Sequence, residues 1–223
     1  MKRVSEEELM GLPLHAQAYA NADFSEPNSK FVALFSEKFP TFNGRHIIDL
    51  GCGPADITIR LAGRYPQARV VGLDGADAML EIARKSIFRH TSLADRVEVR
   101  KWHIGREENP LGSESFHAVA SNSLLHHMPD PLDLWRAIRA LAAPGGVVLV
   151  MDLIRPRSLI EAEQIVEKYA GKEPEVLRDD FLNSLLAAYR PTEIMEQLVS
   201  VNMDPLHMEV VTDRHFIVFG SMS

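Results

Sequence analysis

The amino-acid sequence predicts an α/β fold with a doubly wound sheet of seven strands, mostly parallel, whose last strand is antiparallel. Short apolar runs alternate with amphipathic helical stretches between residues 46 and 152, and such alternation implies right-handed βαβ units around a parallel sheet. A glycine-rich turn at residues 51–53 joins the first apolar run to its helix. Two apolar runs near the C-terminus are separated by a link too short for a crossover helix, so these two strands must be antiparallel to each other.

Each predicted strand is a short run rich in aliphatic side chains. The runs lie at residues 47–50, 70–74, 97–102, 116–121, 147–152, 207–212 and 215–220. The fifth run is the most apolar, which is typical of the centre of a parallel sheet. The helix before it has a well-marked start, because Asp130 is a favourable N-cap and Pro131 suits the first helical position. This helix is expected to end at the Ala-Pro-Gly-Gly segment, residues 143–146.

Composition and charge exclude several classes of partner. The net charge is −7, from 24 Lys and Arg against 31 Asp and Glu. An acidic chain without a basic run is a poor candidate for sequence-independent binding to nucleic acid or to an anionic membrane. Its single cysteine, Cys52, cannot form an intramolecular disulfide. The acidic N-terminal residues do not resemble a signal peptide, and no apolar stretch approaches the roughly 20 residues that span a bilayer. We therefore expect a soluble, cytoplasmic protein, for which a homodimer is compatible with the sequence.

The turn after the first strand has the form of a ligand cradle. Gly51 and Gly53 leave backbone N–H groups free to face a ligand. A dinucleotide site would have a third glycine where this chain has Asp56, and the carboxylate of Asp49 would repel a pyrophosphate but attract an ammonium group. Asp74 follows the turn at the distance that suits a ribose-binding acid. These residues favour a ligand with an amino-acid end and a ribose.

Cys52 stands inside this turn. A catalytic thiol is conceivable at such a position, but a small residue that fills a tight turn is the favoured interpretation.

These segments resemble the class I S-adenosylmethionine-dependent methyltransferases. Residues 49–54, Asp-Leu-Gly-Cys-Gly-Pro, are similar to the first motif of that family, and residues 72–74 with Met79 to the second. Residues 121–127 resemble the segment after the fourth strand, and residues 144–146 the segment before the fifth. The resemblance implies a Rossmann-like fold, S-adenosylmethionine as methyl donor with S-adenosylhomocysteine as product, and in-line transfer of the methyl group to a small-molecule acceptor.

Carried over by position, the resemblance implies a set of cofactor-binding residues. They are Asp49, Gly51, Cys52, Gly53, Asp74, Gly75, Met79, His103, Ile104, Ser121 and Asn122. Asp74 would hold the ribose, and Met79 would pack against the adenine. Where many relatives have Gly-Asp-Ala after the third strand, this chain has Trp-His-Ile-Gly at residues 102–105. His103 is expected to replace the missing aspartate, or Ile104 to cover the ring through its backbone.

The chain is expected to form a single domain of four segments. Residues 1–43 are predicted to be an N-terminal helical cap of two or three short helices, and residues 44–154 the cofactor-binding core. Residues 155–190 carry two amphipathic helical stretches and no strand, so they are interpreted as an insertion that forms a lid together with the cap. Residues 191–223 supply a terminal helix and the antiparallel hairpin.

Acceptor-binding residues are expected where the cap, the lid and the carboxyl ends of the strands meet. The candidates are His15, Tyr19, Asp23, His127, Arg155, Asn183 and Arg214. An oxygen or nitrogen acceptor would need a base, for which His126 is the first choice, whereas a thiolate or carbanion would need none. Because His126 and His127 are adjacent, at most one of them is expected to face the site. No two of the nine histidines have His-x-x-x-His spacing, and no carboxylate cluster accompanies them, so no metal site is predicted.

Two other functions use the same motifs. A non-catalytic or regulatory subunit that binds S-adenosylmethionine would keep the cofactor motifs and fill the acceptor pocket. A different reaction of the same cofactor, such as decarboxylation or alkyl transfer of the spermidine type, would use the same fold. Methylation of DNA or RNA is disfavoured by the net charge of −7 and by the absence of an Asn/Asp-Pro-Pro-Tyr/Phe motif.

Overall fold

The computed structural model describes residues 1–6 and 13–222 as one sheet covered by helices on both faces. The strands are β1 (His46–Leu50), β2 (Arg69–Asp74), β3 (Val97–Lys101), β4 (Phe116–Asn122), β5 (Ala142–Leu153), β6 (His207–Val210) and β7 (His215–Ser221). The helices are α1 (Pro13–Asn21), α2 (Ser25–Lys38), α3 (Asp56–Arg64), α4 (Asp77–Arg89), α5 (Pro131–Leu141), α6 (Leu159–Ala170), α7 (Glu175–Ala187) and α8 (Pro191–Ser200).

The strand order is β3-β2-β1-β4-β5-β7-β6. Strands β1 to β5 pair in parallel, while β7 is antiparallel to both of its neighbours, β5 and β6. The direction of crossover reverses between β1 and β4, so the carboxyl ends of these two strands diverge into a crevice. This arrangement confirms the predicted doubly wound sheet with its antiparallel last strand.

Apolar residues on both faces of the central strands explain the two helical layers. In β1, Ile48 and Leu50 belong to the core on one face, whereas Ile47 belongs to the core on the other. The first core is completed by side chains from α5 and α8, and the second by side chains from α2, α3 and α4. The helix ends and loops at the carboxyl edge are therefore held in place, because the helices pack on the sheet.

Strand β5 begins earlier than the sequence indicates. Ala142 already pairs with Phe116, and the backbone N–H of Gly145 donates to the carbonyl of Met222. The Pro-Gly-Gly segment therefore belongs to the strand rather than to a loop, because the C-terminal residues supply it with a hydrogen-bonding neighbour. A local pattern cannot reveal a partner that lies almost 80 residues away in the chain.

The cap and the insertion lie against each other. Helices α1 and α2 form the described part of the cap, while predicted apolar positions at residues 9–12 fall outside the described residues. Helix α7 packs against both α6 and α1. Residues 1–6 run beside the end of α7, where the N–H of Val4 donates to the carbonyl of Leu186 at 3.1 Å. Within the described ranges, no helix has the length and apolar character that crossing a bilayer requires.

Candidate functional site

A cavity of about 500 Å³ opens at the carboxyl edge of the sheet. One end of it is lined by the glycine turn after β1 and by the residues that follow β2 and β3. Its other end is lined by the loop after β4 and by residues of α6 and α7, while Tyr19 and the segment between α1 and α2 line it on the side of Met79. Residues of the predicted cap and of the predicted insertion thus line the space into which the glycine turn opens.

The glycine turn depends on glycine at two positions with left-handed backbone angles. Gly51 has φ of +71° and Gly53 has φ of +51°. The N–H groups of residues 51 and 52 donate to the carbonyl of Leu73, and the N–H of Gly53 donates to Oδ2 of Asp74 at 2.8 Å. A Cβ on Gly51 would lie 2.9 Å from the side chain of Leu124, whereas a Cβ on Gly53 would meet no atom within 4 Å. The expectation that the N–H groups of Gly51 and Gly53 are free to face a ligand is therefore wrong, because acceptors on β2 bind both of them; what the turn offers a ligand is the open space above Gly53.

Replacing Gly51 with alanine is expected to lower the free energy of unfolding by about 2–4 kcal/mol, because a left-handed alanine is strained and its methyl group collides with Leu124. The matched control is Gly63→Ala in α3, where a Cβ meets no atom within 4 Å. That change should stabilise the protein by about 0.5–1 kcal/mol. Urea denaturation measures both, and a similar change in the two variants would contradict a special role for the turn.

The end of β2 supplies the predicted ribose acid. The carboxylate of Asp74 accepts hydrogen bonds from the N–H groups of Gly53 and Ala76, both at 2.8 Å. These two bonds fix the carboxylate at the rim of the cavity, which Asp74 itself lines. A carboxylate has about four acceptor positions, so ribose hydroxyl groups can still donate to it. Gly75, Met79, His103 and Ile104 line the same end of the cavity.

Asn122 lies at the carboxyl end of β4 and also lines the cavity. Its side-chain oxygen is buried and accepts no hydrogen bond from any described residue. A buried carbonyl oxygen without a donor is costly, and a bound ammonium or hydroxyl group would satisfy it. Together with the open space over Gly53, this oxygen fits a ligand with an amino-acid end, as the family resemblance implies.

Three predicted cofactor residues lie behind the wall of the cavity rather than on it. Asp49 is buried and accepts a hydrogen bond of 2.6 Å from the hydroxyl of Thr58, and burial raises the pKa of its carboxyl to about 7. Burial also raises the pKa of the Cys52 thiol, which makes a reactive thiolate unfavourable. The hydroxyl of Ser121 donates to the carbonyl of Leu50. These three side chains pack beneath the floor of the site. They would support a bound ligand indirectly, through the backbone above them.

The other end of the cavity is organised around a buried His–Asp pair. Nδ1 of His126 lies 2.6 Å from Oδ1 of Asp152, which stands near the end of β5. The second oxygen of Asp152 accepts a hydrogen bond of 2.7 Å from the N–H of Leu125, so the carboxylate is fixed by the same turn that carries the imidazole. Burial by itself lowers the pKa of His126, but the nearby carboxylate outweighs this effect, and the net pKa is raised.

Both imidazoles of residues 126 and 127 line the cavity, so the expectation that at most one would face it is wrong. They belong to a short 3₁₀ turn, and their ring centroids are 4.1 Å apart. Nδ1 of His127 lies 3.2 Å from the carboxylate of Glu6, and Nε2 of His126 lies 3.9 Å from the same oxygen. Glu6 therefore joins the two histidines from the N-terminal segment.

Three further acceptor-side candidates line the cavity: Tyr19, Asp23 and Arg214. Burial raises the pKa of Tyr19 to about 12, so its phenol is a hydrogen-bond donor and not a base near neutral pH. The guanidinium of Arg214 lies over the ring of Tyr169, 3.3 Å from its centroid, and 3.5 Å from the carboxylate of Asp213. This ion pair lies within the turn between β6 and β7.

Arg155 and Asn183 are not brought to the cavity. Arg155 is buried and donates to the carboxylate of Glu193 at 2.6 Å and to the carbonyl of Ala188 at 3.1 Å, so it links the end of β5 to α8. Asn183 is exposed on α7. The side chain of His15 lies outside the described residues. The acceptor-binding role of these three residues therefore gains no support from their position.

Several residues at the site were not among the sequence-based candidates. Glu6, Trp102, Tyr169, Asp180 and Phe181 line the cavity. Glu6 stands in a run of three glutamates, which reads as an ordinary exposed N-terminus. Trp102 is the first residue of the irregular 102–105 segment and directly follows β3, so its position at the carboxyl edge of the sheet could have identified it. Residues of α6 and α7 follow an amphipathic pattern that predicts a buried face, but not which of its residues border a cavity.

Comparison with known proteins connects this geometry with methyl transfer. A family model described as a methyltransferase domain matches residues 48–148. The chain is 34% identical over 128 residues to a trans-aconitate 2-methyltransferase of Methylobacterium radiotolerans, a match that covers 57% of this chain and 45% of the relative. It is 29% identical over 157 residues to a trans-aconitate 2-methyltransferase of Escherichia coli, with coverage of 68% and 58%. The chain spans about half the length of these relatives.

Solved structures share the fold. A SAM-dependent methyltransferase from Aquifex aeolicus superposes with a TM-score of 0.66 at 15% identity, over 94% of this chain and 98% of that one. An O-methyltransferase family protein from Burkholderia thailandensis gives a TM-score of 0.67 at 20% identity, over 93% of this chain and 59% of that one. At such identities, the likeness establishes the architecture of the sheet and its covering helices.

Proposed function

We propose that this chain methylates a small-molecule acceptor bound beside His126, since it belongs to the class I S-adenosylmethionine-dependent methyltransferases. One observation carries the proposal. A single cavity of about 500 Å³ joins the glycine cradle to the buried His126–Asp152 pair, so a donor and an acceptor can meet in one enclosed space. The cofactor of the family, S-adenosylmethionine, supplies the methyl group when it is bound.

The residues of the cradle would hold the cofactor through complementary groups. The backbone at Gly53 gives close approach without a side chain, Asp74 accepts hydrogen bonds from the ribose, and Met79 packs against the base. The buried oxygen of Asn122 accepts a hydrogen bond from the amino group. The task of these residues is to hold the reacting atoms in line and to exclude water, since good alignment accounts for much of the rate enhancement of a group transfer.

His126 would accept the proton of an oxygen or nitrogen acceptor. Asp152 accepts a hydrogen bond from the N–H at Nδ1, so the free lone pair of the neutral imidazole is on Nε2. Asp152 acts on the reaction through the imidazole, as a positioning residue. Tyr19 stays protonated and packs beside Met79, at the cofactor end of the cavity.

The acceptor differs in charge from that of the relatives, which are named for methyl transfer to trans-aconitate, a tricarboxylate. Three carboxylic residues, Glu6, Glu173 and Asp180, line the acceptor end of this cavity and outnumber Arg214, which already pairs with Asp213. Carboxylates repel a trianion, so we favour a neutral acceptor or one with fewer negative charges. The net charge of −7 supports a small molecule over nucleic acid, and a cytoplasmic location and a homodimer stay predictions.

Calorimetric titration with S-adenosylmethionine and with S-adenosylhomocysteine tests cofactor binding directly. Asp74→Asn is expected to weaken both affinities by about 10–100-fold, because it removes the charge from hydrogen bonds to the ribose. The matched control is Asp77→Asn on α4, whose carboxylate is 73% exposed and pairs with Lys101. Its affinities should stay unchanged, and equal losses in the two variants would contradict the role of Asp74.

Incubation with methyl-labelled cofactor and a fractionated metabolite extract then tests catalysis. Label in a small-molecule fraction supports the proposal and identifies the acceptor. Cofactor binding without label transfer to any fraction would favour the non-catalytic alternative. Failure to bind either form of the cofactor would overturn the proposed function.

A further inference from the structure

The two imidazoles and the carboxylate at the acceptor end are arranged like metal ligands. One donor atom each from Glu6, His126 and His127 lies within 4.8 Å of the other two. The separations from the carboxylate oxygen are 3.2 Å to Nδ1 of His127 and 3.9 Å to Nε2 of His126. Two ligands on a tetrahedral zinc ion are roughly 3.3 Å apart, given Zn–N and Zn–O distances near 2.0–2.1 Å. Small side-chain rotations therefore bring all three donors to bonding distance of one ion.

Two of the three donors, His126 and Glu6, are each held by a further contact. Nδ1 of His126 is engaged by Asp152 at 2.6 Å, which presents Nε2, and carboxylate–histidine pairs of this kind orient most metal-bound histidines. The hydroxyl of Ser184 lies 3.3 Å from Oε1 and 3.2 Å from Oε2 of Glu6, so it holds the whole carboxylate in place. The guanidinium of Arg3 donates to the carbonyl of His126 at 3.0 Å, which fixes the N-terminal segment on the turn that carries both imidazoles.

We propose that Glu6, His126 and His127 form a binding site for a divalent transition-metal ion. Two imidazole nitrogens with one carboxylate oxygen favour zinc, iron, cobalt or nickel over magnesium and calcium, which take oxygen ligands. The side chain of Glu6 is 2% exposed and that of His126 is 3% exposed, so the ion would be shielded from bulk water. Three protein ligands leave at least one position open, and it faces the cavity because all three residues line it.

The open position defines the acceptor further, and this step rests on the proposed function. An acceptor with a hydroxyl or carboxyl oxygen would occupy it, and coordination lowers the pKa of a bound hydroxyl. In the metal-loaded protein, Nε2 of His126 would be a ligand and could not accept a proton; the ion would instead lower the pKa of the bound hydroxyl, whose proton would pass to solvent water. In the metal-free protein, Nε2 is available as the base.

Metal binding is tested on the full chain after removal of bound metal with a chelator. Co²⁺ or Zn²⁺ is supplied by equilibrium dialysis, bound metal is quantified by emission spectroscopy, and the Co²⁺ absorption spectrum reports the ligand geometry. We expect one ion per chain with a micromolar or tighter dissociation constant. Glu6→Gln and His127→Gln should each weaken binding at least tenfold, and Ser184→Ala should weaken it by about 10-fold through the orientation of Glu6.

The matched control is Glu173→Gln, which removes a carboxylate from the same cavity without touching the three donors. Its metal affinity should equal that of the wild type, and thermal melting of each variant identifies any that is unfolded. Absence of Co²⁺ and Zn²⁺ binding by the wild type would overturn the site and leave Glu6 as a hydrogen-bonding partner of the histidines. Equal losses in Glu6→Gln and Glu173→Gln would overturn it as well. Cofactor titration of the same samples reports separately on the proposed function.

Discussion

Replacement of His126 with glutamine is expected to lower kcat for an oxygen or nitrogen acceptor by about 10²–10⁴-fold in the metal-free protein. A positioned general base contributes an effect of this size, and glutamine keeps the approximate volume of imidazole but cannot accept the proton. The residue meets the geometric requirement for such a base, because Asp152 holds Nδ1 at 2.6 Å and the ring lines the acceptor end of the cavity. Single-turnover transfer of labelled methyl to the identified acceptor measures the loss.

The pH profile separates a base from a structural residue. The pKa of His126 is raised above its usual value of 6.5, so the neutral imidazole predominates only above the raised pKa. The wild-type rate should therefore rise with pH and level off above neutrality, whereas the variant should lack this step. His117→Gln, at an exposed imidazole on β4, should leave both rate and profile unchanged. Turnover by His126→Gln that equals the wild type at every pH would eliminate the base role.

The cofactor end of the site was predictable because its information is local. Strand β1, the turn at Gly53 and the acid Asp74 at the end of β2 lie within one βαβ unit. The fold therefore brings together residues that already follow one another in the motif. The resemblance also identified Met79 and Asn122 by position, and both line the cavity. The side-chain direction of Asp49 was harder to predict from the sequence. Successive residues of a strand point to opposite faces of the sheet, so a shift of one residue reverses the direction.

The acceptor end depends on contacts between distant parts of the chain, which local sequence patterns do not reveal. Glu6 reaches His126 and His127 only because the N-terminal segment follows the end of α7. Arg155 follows an apolar strand at the active edge, and its pairing with Glu193 is decided by where α8 packs. Spacing rules for metal ligands could not have suggested the proposed metal site for the same reason, since they detect ligands on one helix or turn and miss a third ligand from another segment.

Replacing Asp49 with asparagine is expected to raise the free energy of unfolding by about 1–3 kcal/mol at pH 8 and to change it little near pH 4. Burial raises the pKa of Asp49 from 3.8 to about 7, which corresponds to about 4 kcal/mol between the two protonation states. The unfolded chain ionises at the ordinary value, so the folded state binds more protons between about pH 4 and pH 7, and stability falls as pH rises through that range. Asparagine does not titrate, but its amide adds a buried donor, which offsets part of the gain.

Urea denaturation at pH 4 and pH 8 measures the effect, with Asp204→Asn as the control at an exposed carboxyl. Asparagine can still accept the hydrogen bond from Thr58, so loss of that bond does not complicate the comparison. Equal free energies of unfolding for variant and wild type at pH 8 would show that burial of the ionised Asp49 carboxylate does not destabilise the fold. Because the cofactor carries a sulfonium and an ammonium group, an ionised Asp49 beneath the cradle would attract it. The variant should therefore bind S-adenosylmethionine more weakly at pH 8, although its free energy of unfolding is higher. Such opposite changes indicate that the charge of Asp49 favours cofactor binding and lowers the stability of the fold.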